Sequence, residues 1–231
     1  MPNIVKNTTI INPLDLLIPH SCRGCGAIGS ALCKRCKNHI FKNQYNFCPN
    51  CKQATDNGIC HACIDLPPTY IGGERTGLLD AIIHDYKYHS IRALAKPLAE
   101  ILLHALPQPD HPVRIIPLPT AHHHIRARGF DHMKLIAKHL EKSSNHHYIF
   151  SPLIERITNT TQVGHDRATR LIQAKSAYQL SNRAHLDLNS TYLLIDDVWT
   201  TGASMRACIK ILQQAGANNL MLGILALSRL S

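Results

Sequence analysis

The chain has 231 residues, 45% hydrophobic and only 17% charged, which excludes an intrinsically disordered protein and leaves room for one α/β core plus a small accessory module. Twenty-five Lys and Arg against fifteen Asp and Glu give a formal charge of +10, a balance that favours polyanionic partners through counterion release. The opening MPNIVKNTTIINPLDLL lacks the apolar core of a secretory signal, and no stretch reaches the ~20 apolar residues of a membrane span, so a soluble cytoplasmic protein with no membrane span is expected.

The first organised segment is cysteine-rich. Eight of the nine cysteines form four Cys-x-x-Cys pairs: Cys22/Cys25, Cys33/Cys36, Cys48/Cys51 and Cys60/Cys63. Two thiolates three positions apart on a tight turn can point at one tetrahedral ion, and two such turns complete a four-cysteine zinc site. Disulfides suit an exported chain instead, and a redox Cys-x-x-Cys would be single and attached to a βαβ unit. Two structural Zn²⁺ ions with closed shells are therefore expected. Pairing in consecutive order makes two ribbons in tandem, and interleaved pairing makes a cross-brace; the similar spacing of the two halves favours the tandem form. Lys34, Arg35 and Lys37 add a basic surface. Ile64–Pro68 reads as a linker, dividing a double zinc-ribbon module (residues 1–66) from a larger domain (residues 67–231).

From Thr69 onward apolar runs alternate with helical patterns, the sign of an α/β domain with a mainly parallel sheet. Leu78–Tyr88 and Ile91–Leu106 read as helices, with Pro97 marking a kink or a fresh start. Arg114–Leu118 is a short strand leading into a loop, Lys134–Lys142 an amphipathic helix, and Tyr148–Ile154 another strand. Tyr192–Val198 reads as a buried strand, Ser204–Gln214 as a helix stopped by Gly216, and Leu220–Leu227 as a final strand. Cys208 stands alone in a helical pattern and reads as a small buried residue.

The stretch Tyr192-Leu-Leu-Ile-Asp196-Asp197-Val-Trp-Thr200-Thr201-Gly202-Ala203-Ser204 carries the most chemistry. An apolar strand ends in two carboxylates, then a small hydroxyl- and glycine-rich turn opens a helix. Free N–H groups at that helix start, with the Thr and Ser hydroxyls, suit a phosphate, and Gly202 lets the backbone approach it. The carboxylates suit the hydroxyls of a sugar held beside that phosphate, and strand C-terminal ends are the usual ligand position in such sheets. The bland alternative is an acidic strand end with a Ser/Thr cap.

The whole block resembles the phosphoribosyl-diphosphate signature of type I phosphoribosyltransferases: apolar run, Asp-Asp, short apolar spacer, Thr-Thr-Gly-x-Ser/Thr. Trp199 stands where that signature has an aliphatic residue. The resemblance implies that Asp196 and Asp197 contact ribose hydroxyls and that Thr200, Thr201, Gly202, Ala203 and Ser204 hold the 5′-phosphate. Further segments narrow it. Ile115-Ile-Pro117-Leu-Pro119 followed by Arg126-Ala-Arg128-Gly129-Phe130-Asp131 is similar to the Pro-x-Pro and Arg-Gly-Phe-Asn blocks of the ComF/GntX family, with Asp131 in place of Asn. Arg156, Gln162, Arg170 and Ser176-Ala177-Tyr178 resemble a later block of that family, with Gln173 at its Asn position. Tyr86-Lys87-Tyr88 and the cysteine ribbons fit as well, so the resemblance runs from Cys22 to about Ser228. The fold it implies is a type I phosphoribosyltransferase-like α/β domain, its mainly parallel sheet flanked by helices, behind a small N-terminal zinc-ribbon module with four-cysteine sites.

Arg126 and Arg128 lie on a Gly-containing stretch after a strand, read as a loop; in such a fold it faces a diphosphate, whose oxygens guanidinium groups match, the alternative being solvated loop charges. Arg156, Arg167 and Arg170 belong to the polar stretch Arg156–Lys175, which by resemblance closes over the ligand and could equally be a flexible surface loop. His122-His123-His124 cannot all face one ion in regular structure and read as solvated histidines near an anion site.

Two functions follow from the resemblance. One is a ComF-type protein of natural transformation, handling incoming single-stranded DNA in the cytosol beside DNA-uptake proteins, with a site for phosphoribosyl diphosphate or a related nucleotide. The other is a phosphoribosyltransferase using Mg²⁺ and an unidentified acceptor. No general base and no base-selecting pocket is legible, so no catalytic residue is assigned. Aromatic content of 5% makes an extensive base-stacking platform an unattractive reading and leaves DNA binding mostly electrostatic.

Overall fold

In the computed structural model, residues 20–42, 45–157, 177–182 and 184–228 are described. The described residues begin with the two cysteine clusters, and helix α1 (Lys34–Phe41) carries Cys36 of the first. Strand β1 (Thr69–Ile71) and helix α2 (Gly77–Tyr88) follow. A 3₁₀ turn at Arg92–Leu94 then leads into α3 (Ala95–Ala105), so Pro97 sits in a first turn, where its missing N–H has no partner to lose. Strand β2 (Val113–Pro117), the short helix α4 (His122–Arg128), helix α5 (His132–Ser143) and strand β3 (Tyr148–Phe150) come next. Two short strands, β4 (Ile154–Arg156) and β5 (Tyr178–Leu180), pair antiparallel as a separate ribbon. Strand β6 (Thr191–Trp199), helix α6 (Ala203–Gln214) and strand β7 (Leu220–Leu227) complete the fold.

The main sheet has the order β1-β7-β6-β2-β3 with every pair parallel. Its longest strand, β6, lies at the centre and alternates faces with period two. Leu193 and Ile195 enter one apolar cluster with Tyr86 of α2, Leu98 of α3 and Met133 of α5. Tyr192 and Leu194 enter the other, with Tyr178 of β5 and Met205, Cys208 and Leu212 of α6. Helices therefore cover both faces, as a parallel sheet requires. Cys208 is fully buried in the second cluster.

Two local readings of the sequence are corrected. Tyr148–Ile154 is not one strand: Tyr148–Phe150 pairs with β2, Pro152 cannot donate to a ladder, and Ile154–Arg156 turns away to pair with β5. Arg126 and Arg128 lie on α4, not in a loop, and the loop-like glycine, Gly129, is its C-cap at φ 77°. The readings of Gln162, Arg167, Arg170, Gln173 and Ser176 fall outside the described residues.

The cysteine region packs directly on the sheet domain. Ala31, Leu32 and Ile40 belong to the same apolar cluster as α2 and α3. Phe41 of α1 stacks on His104 of α3 with ring centroids 4.1 Å apart, and Lys37 pairs with Glu100. Arg23, inside the first Cys-x-x-Cys turn, donates to Asp85 of α2 at 2.5 Å. In the second cluster, Asn50 accepts from Arg206 of α6 at 2.6 Å.

Candidate functional site

Each cysteine cluster draws its four thiols from consecutive pairs. Cys22, Cys25, Cys33 and Cys36 form one, and Cys48, Cys51, Cys60 and Cys63 the other, with all sulfurs of a cluster within 4.8 Å of one another. This is the tandem arrangement. Four sulfurs at ~2.3 Å from a tetrahedral ion stand roughly 3.8 Å apart; the Cys25–Cys33 and Cys51–Cys60 sulfurs are 3.7 and 3.4 Å apart. The Cys33 amide donates to the Cys22 sulfur at 3.3 Å and the Asn50 amide to the Cys48 sulfur at 3.4 Å, bonds that favour thiolate over thiol. Both donor sets fit a structural metal ion.

The second centre lies at the carboxyl ends of β6 and β2. The pleat sends Asp196 and Asp197 to opposite faces of β6. Asp197 is buried: its Oδ2 accepts from Lys87 Nζ at 2.8 Å and meets His132 Nε2 at 2.5 Å. His132 Nδ1 stands 3.0 Å from Arg128 Nη1 and 3.1 Å from Thr120 Oγ1. A guanidinium only donates, so Nδ1 accepts and the imidazole proton sits on Nε2, directed at Asp197. Arg128 Nε also donates to the Lys87 carbonyl at 2.7 Å, and Tyr86 Oη donates to the His132 carbonyl at 2.8 Å. The ends of α2, α4 and α5 are thereby fastened to one carboxylate. Burial pushes the Asp197 carboxyl up, but the His132 hydrogen bond and the Lys87 charge outweigh it and hold the group well below the usual carboxylate range.

Asp196 is half-buried on the α6 face, and its Oδ1 accepts from the Asp197 amide at 2.8 Å. Burial and the adjoining Asp197 charge raise its pKa well above that of a free carboxyl. Four residues on, Thr200 and Thr201 are exposed, and Gly202 enters α6 at φ 69°. A Cβ on Gly202 would stand 2.2 Å from the Trp199 ring, so the large side chain and the glycine require each other. Arg206 lies over the other part of that ring, 5.4 Å from its centroid. Ala203 and Ser204 are half-buried in the first turn, and Ser204 hydrogen-bonds Tyr178 of β5.

Of the arginines singled out in the sequence, Arg126 is exposed on α4, while Arg128 faces inward on Lys87 and His132. Arg156 of β4 donates to Tyr178 Oη at 3.2 Å. His124 of α4 is exposed, and partial desolvation with the charges of His123, Arg128, His132 and Arg156 lowers its pKa. The Nδ1 of His123 is buried without a partner among the described residues. Basic groups from α2, α4 and β4 thus lie about two carboxylates, one paired with Lys87 and hydrogen-bonded to His132 and one not.

Lys87 and His132 are the residues that sequence reading left out of the site, although a signal exists. Leu79, Ile83 and Lys87 share one helical stripe at i, i+4, i+8, as do His132, Ile136 and Leu140, and all but Lys87 are buried outright. A lysine or histidine ending an apolar stripe needs a buried partner.

Fold and cleft together define an α/β protein with a five-stranded parallel sheet that carries two four-cysteine clusters toward its N-terminal end. Its relatives are competence proteins. The chain is 24% identical over 219 residues to Competence protein F of Haemophilus influenzae, spanning 89% of this chain and 94% of that one. It is 30% identical over 108 residues to Competence protein ComFC of Bacillus subtilis, spanning 47% of this chain and 41% of that one. The resemblance to the ComF/GntX family therefore extends over nearly the whole sequence. No family model matches the chain. Among solved structures it is similar to a hypoxanthine phosphoribosyltransferase from Staphylococcus aureus, with 15% identity, a TM-score of 0.34, and 62% of this chain and 65% of that one covered.

Proposed function

We propose that this chain is a ComF-type competence protein that binds a phosphoribosyl ligand at the β6–α6 turn and handles single-stranded DNA through its basic surface. The observation that carries the ligand reading is the pairing of Asp196, a carboxylate outside any ion pair among the described residues, with the left-handed Gly202 that opens α6 beyond it. The N–H groups of Gly202–Ser204, of which that of Ala203 reaches Thr201 Oγ1 at 3.4 Å, and the Thr200, Thr201 and Ser204 hydroxyls receive the phosphate, and Asp196 accepts from a ribose hydroxyl. Asp197 acts one step back, holding Lys87 and His132 beside the ligand. The names of the relatives and the +10 charge support the DNA reading. No helix of the described residues is long and apolar enough to cross a membrane, which agrees with action in the cytosol on DNA delivered by uptake proteins. Two Zn²⁺ ions hold the cysteine clusters.

A second reading, a phosphoribosyltransferase, draws on the same cleft. Phosphoribosyl diphosphate would enter with Mg²⁺, a cation for which the oxygen-only donor Asp196 is suited. Arg126, Arg156 and Arg170 are the candidate diphosphate or DNA phosphate contacts in either reading.

The arginines separate the readings. Each phosphate neutralised on single-stranded DNA contributes a slope of ~−0.7 to log affinity against log salt. Arg126→Ala is expected to lower that slope by about 0.7 and also to weaken phosphoribosyl-diphosphate binding. A transferase with no DNA role shows the second effect alone, and a DNA binder without the ligand site shows the first alone. Wild-type behaviour in both assays removes Arg126 from the site.

A further inference from the structure

We infer that His84, Asp85 and His89 form a third metal site, one that takes a borderline divalent cation such as Zn²⁺, Co²⁺ or Ni²⁺ and leaves coordination positions open. Asp85 lies on the last turn of α2 with His84 just before it, His89 is the C-cap, and one ligand atom from each lies within 4.8 Å of the others. His89 Nδ1 is 2.8 Å from Asp85 Oδ1. Two ligands bound cis at about 2.1 Å from a metal stand about 3 Å apart, so this pair already spans one edge of a coordination polyhedron. The His84 ring is exposed and 5.2 Å from the His89 ring, and rotation about its side-chain bonds brings the third donor in.

The donor set selects the ion. Two imidazoles and one carboxylate suit Zn²⁺, Co²⁺ or Ni²⁺, whereas Mg²⁺ and Ca²⁺ take oxygen ligands. Asp85 is also oriented as ligating carboxylates are: its second oxygen, Oδ2, accepts from Arg23 Nε at 2.5 Å, which fixes Oδ1 toward the histidines. The Arg23 charge weakens cation binding, but it addresses the oxygen that the metal does not use. A cation held here would join the first cysteine cluster, through Arg23, to the turn of α2 that carries Lys87 and so to the Asp197 ion pair. The site shares no residue with the phosphoribosyl cleft and does not rest on that reading.

The test uses the full chain with both cysteine clusters loaded with zinc, titrated with Ni²⁺ and Co²⁺ and assayed for retained metal after desalting. The wild type is expected to hold a third equivalent, and Cu²⁺ in its place to give an electron paramagnetic resonance spectrum split by two imidazole nitrogens. His84→Ala and His89→Ala should each weaken the third equivalent at least tenfold with both zinc ions kept. His89→Ala also removes a hydrogen bond from Asp85, so His84→Ala, whose ring makes only ring contacts with Tyr88 and His89 among the described residues, is the cleaner variant. Retention of only two equivalents by the wild type overturns the site. So does a third equivalent that persists in both variants, which would place the ion elsewhere.

Discussion

Two adjacent aspartates in one strand do different work because the pleat separates them. Asp197 is enclosed by Lys87 and His132, so removing its charge leaves a partly buried ammonium without a counter-ion. Asp197→Asn should cost about 3 kcal/mol of stability, the scale for breaking a buried pair, whereas Asp196→Asn should change stability by less than about 1 kcal/mol. Chemical denaturation of the two variants checks this, and equal losses would contradict the assignment. The pH dependence has a definite sign. The Asp197 pKa is depressed by folding, so its contribution is fully present above the unfolded value of ~3.9 and is lost as pH falls below that. Acid unfolding should begin earlier in the wild type than the loss of surface pairs explains, and Asp197→Asn should flatten the curve below about pH 4.

At the scale of elements, the β6–α6 connection is built around one packing pair. Gly202 has a left-handed backbone, and its missing Cβ is the space that the Trp199 ring occupies. Gly202→Ala combines ~1–2 kcal/mol of backbone cost with a clash against an aromatic ring. Shrinking the ring should restore part of the loss: Gly202→Ala in a Trp199→Leu background is expected to cost about 1 kcal/mol less than in the wild type, read from a double-mutant cycle. Strict additivity would show that Trp199 and Gly202 are not coupled. This connection was largely legible in the sequence, because an apolar run, two carboxylates and a hydroxyl- and glycine-rich turn each follow from local chemistry. The same holds for the four Cys-x-x-Cys turns and for α2, α3, α5 and α6, whose apolar periodicity is strong. What stayed illegible depends on distant contacts. Nothing local says that Arg128 turns inward to Lys87 and His132 while Arg126 stays outside, or that the run after Tyr148 splits between two sheets at Pro152.

At the scale of the molecule, the cysteine clusters are docked pieces of the core. We propose the division into residues 1–66 and 67–231 as one of sequence, with the first cluster sharing an apolar cluster with α2 and α3 and the second contacting α6 through Asn50. Metal removal should therefore be felt beyond residues 22–63. Chelation of two Zn²⁺ per chain is expected to lower the melting temperature of the whole protein while most of the sheet's far-ultraviolet signal survives below that temperature. An unchanged melting transition after complete zinc removal would show that the ribbons contribute nothing to the larger domain, and a metal content below two would contradict the two-cluster assignment.

We propose a phosphoribosyl site made by Asp196 and the turn that follows it, with Asp197 reserved for Lys87 and His132. Isothermal titration of phosphoribosyl diphosphate and Mg²⁺ into the zinc-loaded full chain tests it most directly, with Asp196→Asn measured alongside. Saturable binding by the wild type is expected, with a loss of about 1–3 kcal/mol in Asp196→Asn, the cost of one hydrogen bond to a charged acceptor, and the melting temperature retained. Binding of equal strength by both proteins, or none by a folded wild type, would contradict it.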